Sequence, residues 1–157
     1  MKFCLDVGDL AVERFGAKCL VGNIKIGDFS EEIFCPIHFW RREDYLVSWW
    51  RSLALALSGE TERCVFFVKA MPLSEANFLE CWVGYFEGDI CYVQNCMLFK
   101  HDWSGCSSYD CVAARVGERE EVNDEGRPIS QWVISRLDMN NFLNYMKNKY
   151  QDFLPIV

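Results

Sequence analysis

The longest periodic run of apolar residues lies between residues 45 and 57. On a helix, these side chains form one continuous stripe: Tyr45, Leu46, Trp49, Trp50, Leu53, Ala54 and Leu57. Glu43 and Asp44 are favoured at a helix start, and Gly59 stands where a left-handed C-terminal cap belongs. The polar face is not basic enough for a membrane-seeking helix. The pattern therefore predicts an amphipathic helix whose apolar stripe belongs to the core.

Short strand-like runs occur on both sides of this helix. Residues 19–37 contain two runs around Gly27-Asp28, and Pro36 closes the second. Another run spans residues 64–71. Residues 78–87 and 90–99 are separated by Gly88-Asp89, a pair suited to a tight primed turn, which predicts a hairpin.

The hairpin turn fixes which residues lie opposite each other. The predicted pairs are Tyr85 with Tyr92, Trp82 with Asn95, Val83 with Gln94, and Cys81 with Cys96. Both faces of the hairpin are mainly apolar, so we expect these strands to lie centrally in a sheet that is covered on both sides. The side-chain amides of Gln94 and Asn95 then need hydrogen-bond partners.

The remaining segments complete a mixed fold. Residues 100–111 are typical of a loop, residues 117–128 form the clearest turn region, and residues 129–135 form a strand. A last helix is predicted over 138–150 with Asp138 as its N-cap. Its apolar stripe consists of Met139, Phe142, Leu143, Met146 and Tyr150. We therefore predict one α+β domain over residues 1–157, with antiparallel sheet structure and packed amphipathic helices.

The charge of the chain limits its partners. The formal net charge of −7 argues against direct binding of nucleic acid, which needs a surplus of Lys and Arg. The first residues lack the pattern of a secretory signal, and no window reaches the ~18 apolar residues of a membrane span. We therefore expect a cytoplasmic protein with no membrane partner. The acidic runs 28–32 and 118–125 are either solvated turns or a surface for a basic protein.

The nine cysteines lie mostly within apolar runs, which predicts small buried side chains instead of a disulfide framework. Cys81 and Cys96 are accordingly expected to be free thiols. The five-residue spacing of Cys91, Cys96, His101, Cys106 and Cys111 invites a zinc site. Cys91 and Cys96 would point to opposite faces of one strand, however, so we predict no metal and no other cofactor. Neither histidine belongs to a nucleophile motif, and an enzyme is unsupported.

Several segments, in their order along the chain, resemble a known family. They are IKIGDFSEE at 24–32, FW at 39–40 followed by EDYLVSWWRSLALALSG at 43–59, WVGYFEGDICYVQN at 82–95 with its trailing MLF, and EGRPISQW at 125–132. Together they resemble the CdiI-type immunity proteins of bacterial contact-dependent growth inhibition systems. The likeness runs from about Ile24 to Tyr145. It is greatest to the branch whose toxins are nucleases of small-subunit (16S) ribosomal RNA, related to the colicin ribonucleases.

This resemblance implies a cytoplasmic, non-enzymatic protein that binds the C-terminal toxin domain of a cognate CdiA-type effector, a basic RNA nuclease. It also implies a fold similar to the Whirly single-stranded-DNA-binding proteins, although nucleic-acid binding need not follow from a fold. An acidic inhibitor could cover a basic RNA-binding surface by placing carboxylates where phosphates would lie.

Charge and loop position, not the family motif, select the candidate contact residues. They are Asp28, Glu31, Glu32, Asp102, Glu118, Glu120, Glu121, Asp124 and Glu125, with Trp103 as an exposed aromatic anchor. Two alternatives remain open at this stage. One is a nucleic-acid binder that uses the Whirly-like sheet, and the other is a thiol- or zinc-dependent enzyme.

Overall fold

Two antiparallel sheets contain most of the extended chain in the computed structural model, which describes residues 1–155. The first sheet has the order β1-β2-β3, with β1 at Phe3–Arg14, β2 at Ala17–Ile26 and β3 at Phe29–Pro36. The second has the order β4-β5-β6-β7, with β4 at Arg63–Phe67, β5 at Phe78–Glu87, β6 at Ile90–Phe99 and β7 at Gln131–Ser135. Within each sheet, strands that follow one another in the sequence pair, and the chain passes from one sheet to the other between β3 and β4.

Three α-helices occur within the described residues: α1 at Arg42–Leu57, α2 at Tyr109–Ala114 and α3 at Arg136–Lys149. A short 3-10 helix at Lys100–Asp102 follows β6 directly. Helix α1 packs along β4, and α3 contacts α1, β1, β6 and β7. None of the helices in the described part of the chain is long and apolar enough to cross a membrane.

One hydrophobic core joins the two sheets and α3. The ring of Phe3 on β1 lies 5.8 Å from that of Phe66 on β4 and 5.1 Å from that of Phe142 on α3. Further along, Phe29 of β3 packs at 4.3 Å from Trp132 of β7. Ring pairs at these separations contribute beyond their buried area, so they fix the two sheets against each other.

The predicted amphipathic helix is confirmed as α1, and its aromatic stripe is core. Trp49 and Tyr45 are fully buried, and Trp50 is nearly so. The Trp49 indole donates a hydrogen bond to the Phe67 carbonyl at 2.8 Å, which satisfies its polar atom on β4. Gly59 has a φ of 85° just beyond the helix, where a left-handed residue was predicted.

The predicted hairpin is also confirmed. All four predicted pairs of β5 and β6 are observed, and Gly88 adopts the positive φ of 59° that a primed turn requires. Cys81 and Cys96 face each other as free thiols, and burial raises the pKa of Cys81 well above its ordinary value. The expected cover on both faces is incomplete, because Met97 and Phe99 are about half exposed. Met97 lines a groove of about 340 Å³ together with residues of the first sheet such as Glu31 and Glu32.

The start of α3 corrects the predicted N-cap. Ser135 caps the helix by accepting from the Asp138 N–H at 3.0 Å, and Asp138 is its third residue. The Asp138 carboxylate accepts in return from the Ser135 N–H and hydroxyl, at 3.0 Å and 2.7 Å. Burial by itself would raise the pKa of the Asp138 carboxyl. The hydrogen bonds from Ser135 have the larger effect and leave this pKa below its ordinary value. The two residues form a capping box instead of a single cap.

One disulfide contradicts the expectation that all cysteines are reduced. Cys106 and Cys111 are bonded, with a Cα–Cα distance of 5.6 Å. Cys106 lies in the loop before α2 and Cys111 lies in the first turn of α2, both half-buried and outside the apolar strand segments, so the argument from apolar surroundings did not apply to them. The other seven cysteines are free. Among residues 1–155, no group of His, Cys, Asp or Glu is arranged to hold a metal ion.

Candidate protein-binding surface

Residues 100–130, which connect β6 to β7, cover one face of the second sheet. We call this the outer face; it carries Phe67, Val83, Tyr85, Tyr92 and Gln94 at alternating positions. The ring of Tyr109 packs at 4.9 Å from that of Phe67. Its hydroxyl accepts from the Met71 N–H at 2.7 Å and donates to the Met71 carbonyl at 2.6 Å. Burial raises the pKa of Tyr109 to about 12.

The prediction that Trp103 is an exposed anchor is wrong. Only 4% of Trp103 is accessible, and it joins the hydrophobic core together with Tyr109, Val112 and Val116 of the same connection. The connection folds back onto the sheet because these apolar side chains have the outer face to pack against. Trp103 therefore helps to hold the connection in place and offers no surface to a partner.

The acidic loop, residues 117–128, is held on the outer face by a buried amide. Gln94 of β6 is 3% accessible and donates to the Glu120 carbonyl at 2.8 Å and to the Gln131 side chain at 3.1 Å. The Ile129 N–H also donates to the Glu121 carbonyl at 2.9 Å. The Glu120 carbonyl is therefore tied to the sheet, and the Glu121 carbonyl is tied to the segment that leads into β7. The acidic loop thus supplies a hydrogen-bond partner of the kind that the sequence predicted for the Gln94 amide.

Arg119 is the one cation between Glu118 and Glu125, and it points inward. Its guanidinium lies 3.9 Å from the centre of the Tyr92 ring, and its side chain is 15% accessible. Glu87 and Glu121 flank it at 3.3 Å and 3.4 Å. Burial alone would lower the pKa of Arg119, but its hydrogen bond to Glu87, the charge of Glu87 and its hydrogen bond to Glu121 raise it. The guanidinium therefore stays charged against the sheet.

The inward position of Arg119 leaves an acidic outer surface. The carboxylates of the loop are exposed: Glu118, Glu120, Glu121, Asp124 and Glu125. Arg127 is the other cation of the loop and lies 3.8 Å from Glu125. A fixed loop that presents several carboxylates can attract and orient a basic protein surface.

The other predicted contact residues lie elsewhere. Asp28, in the turn between β2 and β3, lines an open groove that also includes Asp89 and Val133. Glu31 and Glu32 line a different groove together with Glu80. Glu80 points to the opposite face of the second sheet from Gln94, because the two belong to alternate side-chain rows of the hairpin. Glu31 and Glu32 are therefore separated from the acidic loop.

Asp102 has a local structural role. Its carboxylate accepts from the Phe99 N–H at 2.7 Å and lies 3.3 Å from His101. It follows the end of β6, whereas Glu87 and Arg119 lie near the start of that strand. The structure thus brings the five carboxylates of residues 118–125 together with Glu87, and it leaves Asp102 apart from them.

Sequence reasoning missed the residues that position the loop. Arg119, Tyr92 and Glu87 form its ionic and aromatic anchor, but no local pattern links them, because they come from separate segments. A signal existed only for Gln94, whose amide stood in an otherwise apolar row.

We expect Gln94→Leu to destabilise the loop and the protein. It removes two hydrogen bonds, so the free energy of unfolding in urea should fall by about 1–3 kcal/mol. Amide hydrogen exchange should accelerate across residues 118–122. Asn95→Ala is the matched control, because Asn95 is exposed on the same strand and its hydrogen bonds are long, at 3.3 Å and 3.5 Å. Equal effects of the two variants would show that Gln94 does not anchor the loop.

Sequence comparison connects this chain with characterised proteins. The profile of the CdiI N-terminal domain matches residues 35–142, which include α1, the whole second sheet and the acidic loop. The immunity protein CdiI of Enterobacter cloacae subsp. cloacae is 32% identical over 123 residues. The aligned region covers 78% of this chain and 81% of that relative.

A solved structure agrees with the sequence comparison. A chain of the CdiA-CT/CdiI toxin and immunity complex from Enterobacter cloacae matches with a TM-score of 0.84 at 28% sequence identity. The match covers 93% of this chain and 99% of that chain, and it confirms the predicted α+β class. Fold and sequence agree on one class of protein, the immunity proteins. The chain belongs to the CdiI family within that class.

Proposed function

We propose that this protein binds the C-terminal toxin domain of its cognate CdiA-type effector and inhibits it in the cytoplasm of the producing cell. The family membership and the relative found in a toxin and immunity complex support this proposal. Inhibition by binding needs no catalytic residue and no cofactor. The protein then acts by occupying a surface of the toxin.

The observation that carries the proposal is the fixed acidic loop. Arg119 is held against Tyr92 and Gln94 holds the Glu120 backbone, so the loop lies on the sheet with its carboxylates exposed. A preordered loop loses little conformational entropy on binding. We infer that the contact surface includes Glu118, Glu120, Glu121, Asp124 and Glu125, with Asp28 at its margin. Glu31, Glu32 and Asp102 lie away from this surface.

We further propose that the toxin is a basic nuclease of ribosomal RNA. The sequence resemblance suggests this class, and the charge of the chain suits it, because a nuclease must attract phosphates with Lys and Arg. Carboxylates of the acidic loop would then take the places of RNA phosphates. Substrate access would be blocked without any chemical step.

A binding titration tests the proposal. The purified toxin domain of the cell's own effector is titrated with this protein in a calorimeter. In a separate titration, single-stranded DNA replaces the toxin domain as the alternative ligand. We expect a one-to-one complex whose affinity falls as salt rises, and no binding of DNA. A protein that binds the DNA and ignores the toxin domain would contradict the proposal.

A further inference from the structure

Three exposed apolar side chains line one open groove. Ile90 at the start of β6, Val133 on β7 and Leu137 in the first turn of α3 are 41%, 58% and 66% accessible. All three line the same groove of about 910 Å³, and we call them the β7 patch. A single exposed apolar residue needs no explanation, but several on one groove are typical of a binding site.

The β7 patch is exposed because β7 is the edge strand of the second sheet. Val133 has a cross-strand neighbour on one side only, Tyr92 of β6. Ile90 pairs with Ser135 on β7 and with Glu87 on β5. Ile90 and Val133 are accordingly left open to solvent.

The β7 patch is continuous with the acidic loop. Val133 lies beside Tyr92, and the Arg119 guanidinium lies 3.9 Å from the centre of the Tyr92 ring. Ile90 lies opposite Glu87, whose carboxylate contacts the same guanidinium at 3.3 Å. Ile90 and Val133 thus share one face of the sheet with Glu87 and the Arg119 guanidinium.

Charged residues surround the groove. Asp28, Asp89 and Asp138 line it beside the patch, and so do Lys2, Lys25 and Met1 with its amino terminus. Lys2 lies close enough to contribute to the lowered pKa of Asp138, so this pair offsets its own charges. The charges of the groove are therefore balanced, and it is the carboxylates of the acidic loop that favour a partner with basic residues around an apolar one.

We propose that the β7 patch is the apolar centre of the toxin-contact surface. Its occupant is an apolar side chain of the toxin domain, flanked by Lys or Arg residues that meet the acidic loop and Asp89. This arrangement is the usual anatomy of a protein interface, in which an apolar centre supplies affinity and a charged rim supplies rate and specificity. The inference rests on the proposed function.

The test uses a variant that removes apolar surface without changing charge. Ile90→Thr/Val133→Thr keeps β-branched residues on both strands, so the thermal midpoint should stay near that of the wild type. We expect its Kd for the toxin domain to rise about tenfold or more. The factor should be similar at about 0.1 M and about 1 M salt, because apolar burial is not screened. Leu10→Thr, at an exposed apolar position on β1, is the control and should bind like the wild type.

The outcomes separate the patch from the proposed function. If the wild-type protein binds the toxin and the double variant binds it with the same Kd, the β7 patch is not part of the contact surface. The proposed function would still stand. A loss of affinity that vanishes at high salt would also overturn the patch, because the contact would then be electrostatic. A wild-type protein that does not bind the toxin would overturn both.

Discussion

Reversal of three carboxylates in the acidic loop should abolish most of the affinity for the toxin. We expect Glu120→Lys/Glu121→Lys/Asp124→Lys to raise the Kd by about 100-fold or more at low salt, since each reversal replaces an attraction by a repulsion. Most of the change should be in the association rate, which long-range attraction controls. The difference should shrink near about 1 M salt, where the Debye length falls to about 3 Å. Association and dissociation rates measured at both salt concentrations check this.

A matched variant separates the loop from the overall charge. Glu13→Lys/Glu31→Lys/Glu32→Lys changes the net charge by the same amount, at exposed positions of the first sheet. It should weaken binding far less than the loop variant. Equal losses in the two variants would show that net charge acts without a defined contact. An unchanged affinity of the loop variant would remove the acidic loop from the contact surface.

Trp49→Ala should cause the largest loss of stability among single substitutions in α1. Trp49 is fully buried, and its indole bonds to the Phe67 carbonyl of β4, so truncation leaves a cavity between α1 and the second sheet. Core Trp→Ala changes cost about 3–5 kcal/mol. The free energy of unfolding in urea measures the effect. Arg51→Ala, at an exposed position of the same helix, should change stability by less than about 0.5 kcal/mol. A similar small change in Trp49→Ala would contradict the packing described here.

Local patterns were sufficient for much of the fold. The Gly88-Asp89 turn determined the register of β5 and β6, because a two-residue loop admits few geometries. The periodicity of residues 45–57 was enough to predict α1. Strand β1 escaped prediction, because its pairing with β2 shifts register between Val7 and Ala11 and the alternation of apolar residues breaks there.

The candidate site was harder to predict because tertiary contacts form it. The sequence identified the acidic run 118–125, but Tyr92 and Gln94, which hold it, come from a distant strand. Trp103 was expected to be exposed because it lies in a predicted loop, yet it is buried in the hydrophobic core with Tyr109, Val112 and Val116 of the same connection. The exposed position of Val133 likewise depends on β7 being an edge strand, which no local pattern reveals.

Neutralisation of the toxin in cells tests the central claim most directly. Cells are induced to make the toxin domain of the cognate CdiA-type effector, with and without this protein, and growth and ribosomal RNA integrity are followed together. We predict that the protein restores growth and keeps small-subunit RNA intact. Continued growth arrest and RNA cleavage in cells that contain the folded protein would contradict the account.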